Sequence, residues 1–311
     1  MTTTRPSLLE RAAEIYDFAS GLPAAPANDL PPRRVRPVPA APRAVHSVQQ
    51  PVQQAPQARQ AQVRTPVRHR QVALDIDGLA ASGYLVGDMP ASGLAEEMRL
   101  IKRRLLTAVD ARTDAGDDRA RLVLVASGQP GEGKTFTALN LALSIASEPE
   151  RSVLLVDGDS AKPELMARLG VADDHPGFLD CLADGSADPE SLVLDTDVER
   201  LSLLPAGSKT RNIPELLASA RTEQVLERLR SADPRRIIIL DSSPALAAST
   251  ASVLAGHAGQ TLVVVKADRT SEADLKETLD LLSVCDHLSL VLNGTAFEVG
   301  SRRFGKYEEY R

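Results

Sequence analysis

The sequence predicts a doubly wound α/β domain built on a mainly parallel sheet, and three observations predict it. Short apolar runs suited to strands recur along residues 121–293, with helical stretches between them. Several of those runs are continuous, as in Ile237 to Leu240, which implies burial on both faces. The first run opens into a loop of three glycines and then an apolar helix.

Taken in order, Ser7-Leu-Leu-Glu10 is a capping-box start, and residues 1–20 read as a short N-terminal helix. Residues 21–70 hold ten prolines and a Gln-rich stretch, a composition that cannot pack a core and predicts a disordered linker. The α/β domain is expected over 71–293, followed by a flexible tail over 294–311. A charged helix is expected at 94–108, where Leu94, Met98, Ile101 and Leu105 form a stripe at helical spacing. Glu96, Arg99 and Lys102 recur at three-residue steps on a neighbouring face, a line of alternating charge. Strands are expected at 122–127, 153–157, 201–205, 237–241, 262–266 and 288–293, with helices at 135–147, 214–230 and 272–285.

Composition narrows the function classes. Apolar residues make up 43% of the 311, but there is no Trp and aromatics are 3%, so Leu, Val, Ala and Ile must build the core. No apolar run approaches the roughly 20 residues of a membrane helix, and the N-terminus has no apolar signal core. Cys181 and Cys285 lie in apolar helical contexts and read as reduced core thiols of a cytosolic protein. The histidines (45, 69, 175, 257 and 287) show no metal-ligand spacing. Eight arginines against Asp29 give 21–70 a charge of +7, residues 1–20 carry −1, and the remainder of the −6 total leaves an acidic body at −12. The basic arm has no aromatics and no long Lys/Arg block, so it reads as a solvated linker and not as a nucleic-acid-binding segment.

The chemistry concentrates at strand ends. Gly128 to Thr135 fits G-x-x-x-x-G-K-[ST] without mismatch. Glycines let backbone N–H groups close on phosphate oxygens, Lys134 brings a point charge, Thr135 offers a hydroxyl to Mg²⁺, and the helix start adds its positive end. Gly128, Gly131, Glu132, Gly133, Lys134, Thr135 and Phe136 are therefore candidate ATP-binding residues. A second strand ends in Asp157-Gly-Asp159, two acids that project to one side. A third, Arg236-Ile-Ile-Ile-Leu-Asp241, ends in a Walker B carboxylate, although a strand-end Asp also caps helices. Mg²⁺ on a nucleotide takes one or two carboxylates, so one of the three acids is spare and is available as a base toward a hydroxyl nucleophile. Thr135 and Asp241, with Asp157 or Asp159 beside them, are the candidate Mg²⁺ residues, Asp159 being the one left to the metal where Asp157 is the base; Lys134, Asp157, Asp159 and Asp241 are the candidate catalytic ones.

Two of the four tyrosines, Tyr307 and Tyr310, fall in the last five residues. They are either incidental aromatics of a frayed end or phenols that accept phosphate.

Together, Ser-Leu-Leu-Glu-Arg-Ala-Ala-Glu, Leu-Ala-Glu-Glu-Met-Arg-Leu-Ile-Lys, Pro-Gly-Glu-Gly-Lys-Thr-Phe-Thr, Val-Leu-Leu-Val-Asp-Gly-Asp and Ile-Ile-Leu-Asp-Ser resemble the bacterial P-loop tyrosine autokinases of exopolysaccharide and capsule export. Within that family the sequence most resembles the exosortase/PEP-CTERM-associated subgroup. That resemblance implies a P-loop NTPase sheet of the MinD/ParA-like superfamily and autophosphorylation of Tyr307 or Tyr310. It also implies Asp157 acting on the phenol, and Asn293 at a strand end where related ATPases contact the base. It further implies ring assembly through Glu96, Arg99 and Lys102, a membrane-bound polysaccharide chain-length (copolymerase) activator, an opposing phosphotyrosine phosphatase, and a cytoplasmic position at the inner membrane. Three positions depart from family patterns: Gln129 where MinD/ParA proteins place a second lysine, Lys102 where the oligomerisation motif ends in Arg, and Ser243 in place of a proline. A MinD/ParA-like ATPase with water as acceptor and a non-catalytic nucleotide-binding adaptor are the alternatives.

Overall fold

The computed structural model describes residues 69–295 apart from 88–92, 173, 209 and 211. The expected 1–20 helix, linker residues 21–68 and the tail carrying Tyr307 and Tyr310 lie outside the described residues.

The chain begins with β1 (Arg70–Val72), α1 (Ile76–Ala81) and the long α2 (Gly93–Asp114). It then alternates: β2 (Leu122–Ser127), α3 (Lys134–Ala146), β3 (Ser152–Gly158), α4 (Leu165–Arg168), α5 (Phe178–Ala183), β4 (Leu194–Thr196) and β5 (Leu201–Leu204). The remainder is α6 (Ile213–Leu217), α7 (Ala220–Ala232), β6 (Arg236–Ser242), α8 (Thr250–His257), β7 (Gln260–Lys266), α9 (Glu272–Leu282) and β8 (Leu288–Asn293). The eight strands form one sheet in the order β1-β4-β5-β3-β6-β2-β7-β8. Every neighbouring pair is parallel except β4 with β5.

The continuous apolar runs are explained by the two faces they serve. Val123, Val125, Val153, Leu155, Ile237 and Ile239 face a core closed by α1, α2 and α3. Their neighbours Leu122, Leu124, Leu154, Val156, Ile238 and Leu240 face a second core under α5 to α9. Cys181 and Cys285 are buried free thiols in that second core.

From β2 the chain first winds toward β3 and later returns to place β7 and β8 on the other side, so the crevice beyond β2 is the switch point of the sheet. The loop of three glycines occupies it.

Three expectations need correction. The 214–230 helix is two helices: Ser219 takes an extended ψ of 157°, and its hydroxyl donates to Leu216 O at 2.6 Å, capturing the carbonyl that would have continued the helix. The 94–108 helix runs on to Asp114, because Val109 extends the apolar stripe and Arg112 donates to Gly259 O at 2.6 Å. The three-residue strands β1, at the edge of the sheet, and β4 beside it were not expected; Arg-Gln-Val and Leu-Asp-Thr carry too little periodicity to read as strands, and β1 starts one residue inside the expected linker.

Candidate active site

The glycine-rich loop is shaped by its own backbone. Gly131 and Gly133 have φ of +79° and +105°, left-handed values that a side chain would strain, and Gly133 leads directly into α3. Glu132 is buried, and its side chain turns back into the loop. It accepts the Gln129 N–H at 2.8 Å and the Thr270 hydroxyl. Asn293, at the end of β8, donates its amide to Glu132 O at 2.8 Å. Both residues thus brace the loop from behind. Gly128 O accepts the Leu246 N–H at 3.1 Å, which fixes the loop's other end. Phe136 lies against Tyr84, ring centroids 5.1 Å apart, and packs on the first core.

Lys134 reaches across the strand ends. Its ammonium lies 2.9 Å from Asp159 Oδ2, 3.9 Å from Asp241 Oδ1 and 3.3 Å from the Thr135 hydroxyl. Parallel register sets Asp157 directly opposite Asp241, and Gly158 follows where a Cβ would stand 2.7 Å from Asp241 O. Only glycine lets β3 and β6 deliver acids this close together.

The three carboxyls differ sharply. Burial and then the Asp241 charge push Asp157 up to about 7, against the pull of N–H bonds from Asp159 (3.1 Å) and Leu165 (3.3 Å). Burial raises Asp241 to about 6, with Lys134 and Thr135 holding it from going higher. Burial also works to raise Asp159, but hydrogen bonds from the Ser243 hydroxyl (2.7 Å), Lys134 and the Lys162 N–H outweigh it and keep that carboxyl below its ordinary range.

Asp241 Oδ1 is a buried oxygen without a hydrogen-bond partner among the described residues. An orphaned anionic oxygen among mutually repelling acids, beside the Thr135 hydroxyl, is a setting a divalent cation relieves. Among the described residues no three His, Cys, Asp or Glu side chains form an all-protein metal cage. The residues therefore fit a cation that arrives with oxygens of its own, as on a nucleotide.

The structure brings together Lys134, Thr135, Asp157, Asp159 and Asp241, as their motifs predict. Ser243, read from the sequence only as a departure, proves to be Asp159's partner; Thr270 and Tyr84 gave no sequence signal. The Glu96, Arg99, Lys102 row divides. Glu96 and Arg99 pair with each other at the surface, whereas Lys102 is buried, donating to Ser144 O at 3.0 Å and pairing with Glu148.

A doubly wound sheet with this loop at its switch point defines a P-loop nucleotide-binding domain. The chain belongs to the AAA_31 family, whose model, described as an AAA domain, matches residues 120–288. It is 33% identical over 216 residues to EpsB of Ralstonia solanacearum, covering 67% of this chain and 27% of that protein. Wzc of Salmonella typhimurium, named a tyrosine-protein kinase, is 32% identical over 189 residues, or 60% of this chain and 25% of Wzc. CpsD of Streptococcus pneumoniae, named likewise, is 25% identical over 220 residues, or 70% of this chain and 95% of CpsD. The chain therefore spans about a quarter of EpsB and Wzc but nearly all of CpsD. The BceF tyrosine kinase domain superposes with a TM-score of 0.56 at 26% identity, over 72% of this chain and 92% of that one. The chimerical protein CapA2B2 shares the fold with a TM-score of 0.58 at 21% identity, over 72% and 93%.

Proposed function

We propose that the protein is an ATP-dependent tyrosine autokinase that phosphorylates Tyr307 or Tyr310 in its own tail and thereby regulates exopolysaccharide chain-length control and export. The observation that carries this reading is the division among the three acids. Asp159 is ionised and paired with Lys134, whereas Asp157 is buried, tied among the described residues only to backbone N–H groups, and pushed up to about 7. A carboxyl balanced near neutrality is suited to accept a phenol's proton. The names of Wzc, CpsD and BceF support the same assignment.

The loop N–H groups and Lys134 would bind the phosphates of ATP. Thr135, Asp159 and Asp241 would hold Mg²⁺, which when bound would supply charge neutralisation at the phosphate oxygens. A tail phenol attacks the γ-phosphorus; its O–P bond forms as the bond to the β-phosphate breaks, ADP leaves with the electron pair, and the phenolic proton passes to Asp157. Asn293 steadies the loop and stands at the strand end that meets the base. Positioning and charge neutralisation supply most of the catalysis. Seventeen residues separate Asn293 from Tyr310 and span up to about 55 Å extended, so the tail can reach this site or a neighbour's.

The reading extends to assembly. A ring using the Glu96 and Arg99 face, a membrane-bound copolymerase as activator and a phosphatase as antagonist would place the kinase at the inner membrane through its partner. Among the described residues no helix is long and apolar enough to cross a membrane.

Incubating the purified full chain with Mg²⁺-ATP and mapping phosphopeptides by mass spectrometry tests the proposal, with Lys134→Met as control. Phosphate on Tyr307 or Tyr310 is expected. Orthophosphate without phosphotyrosine would identify a hydrolytic ATPase, and nucleotide binding without turnover an adaptor.

A further inference from the structure

The geometry points to Arg269 as a second polyphosphate-binding cation, one that reaches over the apex of the glycine-rich loop from the connection between β7 and α9. No sequence motif marks this residue, and the inference rests on the reading of the loop as an ATP site.

Three observations converge on it. The first is position. Arg269 Nη1 lies 3.6 Å from where a Cβ on Gly131 would stand, so the guanidinium already borders the bend whose N–H groups meet phosphate. The second is availability. Arg269 is exposed, and among the described residues its guanidinium enters no ion pair. Lys134, by contrast, is shared between Asp159 and Asp241. An incoming polyphosphate must compete with two carboxylates for that lysine, whereas no carboxylate among the described residues holds the Arg269 guanidinium.

The third is the stiffness of the platform. Lys266 O accepts the N–H groups of Arg269 (3.3 Å) and Thr270 (3.0 Å), and the Thr270 hydroxyl accepts the Lys266 N–H at 2.9 Å. Asp268 takes a left-handed φ of +57° to close this turn. The Thr270 hydroxyl donates in turn to Glu132, and Ala267 N–H donates to Asn293 O at 2.9 Å. The turn and the loop are thus fastened to each other at Glu132 and Asn293, which fixes the root of the Arg269 side chain relative to the phosphates. A planar guanidinium pairs with two phosphate oxygens at once, a geometry that an ammonium cannot copy.

Isothermal titration of the full chain with Mg²⁺-ADP and with the non-hydrolysable analogue Mg²⁺-AMP-PCP tests the assignment. Arg269→Ala is expected to weaken both by about tenfold or more, Arg269→Lys to fall between Ala and wild type, and Arg269→Glu to be weakest. The nucleotide-free unfolding midpoint of all three should match wild type, since among the described residues the side chain has no ion-pair partner to lose. Affinities for Arg269→Ala within about twofold of wild type would overturn the inference, as would equal affinities for the Lys and Glu variants. Wild-type protein that binds neither nucleotide would instead defeat the reading of the loop itself. Because neither ADP nor the analogue can hand a phosphoryl group to the tail tyrosines, the result stands apart from whether phosphotyrosine forms.

Discussion

Lys134 donates to Asp159 across 2.9 Å, so without nucleotide the loop's lysine is held by an acid from the neighbouring motif. This pair keeps the cation extended over the strand ends and sets a full positive charge beside Asp159 and Asp241.

Lys134→Met should therefore do more than abolish nucleotide binding. It leaves Asp159 and Asp241 facing each other uncompensated, and removing one partner of a buried pair costs about 3 kcal/mol or more. The loss should be larger at pH 8 than at pH 5.5, where Asp157 and Asp241 keep protons and fewer charges remain unpaired. Denaturant titration at the two pH values measures it; an equal loss at both would refute the coupling.

Stability of the nucleotide-free protein should decline as pH rises through the window from about 4 to about 7. Asp157 and Asp241 are both raised from 3.8, so across that window the folded state keeps protons that the unfolded chain has released. Asp159 is lowered; its contribution is complete above the unfolded value and is lost only in stronger acid. Asp157→Asn should flatten the decline between pH 5 and pH 8 in thermal unfolding. A slope unchanged by that substitution would show that the decline comes from elsewhere.

Ser243→Ala removes a fully buried hydroxyl that donates to Asp159 Oδ1 at 2.7 Å. A hydrogen bond to a charged group contributes about 1.5–3 kcal/mol, and a comparable fall in unfolding free energy at pH 7 is expected. The fall should shrink in acid as Asp159 takes up its proton. With its oxygen released, Asp159 should also hold Lys134 less firmly, so the affinity for Mg²⁺-ADP is expected to change by less than the stability does. Calorimetric titration alongside denaturation separates the two effects.

What the sequence shows and hides follows from distance along the chain. The phosphate loop, the acids at 157, 159 and 241 and the six principal strands are local patterns, and each sits where its pattern puts it. Ser243 and Asp159 are 84 residues apart, and Thr270 and Glu132 are 138 apart, so only the fold reveals those partnerships. Ser219 shows a second kind of limit: a hydroxyl compatible with a helix breaks it by choosing a carbonyl partner. Lys102 shows a third, since a long apolar stem carries a charge under a surface that periodicity assigns to solvent.

Lys102 and Arg99 consequently separate stability from assembly within one row of charges. Lys102 Nζ donates to Ser144 O near the end of α3 and pairs with Glu148, a cation at a helix C-terminus. Lys102→Ala should lower the unfolding free energy by about 1–2 kcal/mol through loss of that end contact. Arg99 is exposed and among the described residues pairs only with Glu96 one turn away, so Arg99→Ala should change stability by less than about 0.5 kcal/mol. If the open part of the row joins subunits, Arg99→Ala should nevertheless reduce the mass seen by light scattering of the full chain, while Lys102→Ala at a temperature where it stays folded should not. A mass lowered by Lys102→Ala and untouched by Arg99→Ala would reverse the assignment and make the buried lysine the contact that other subunits recognise.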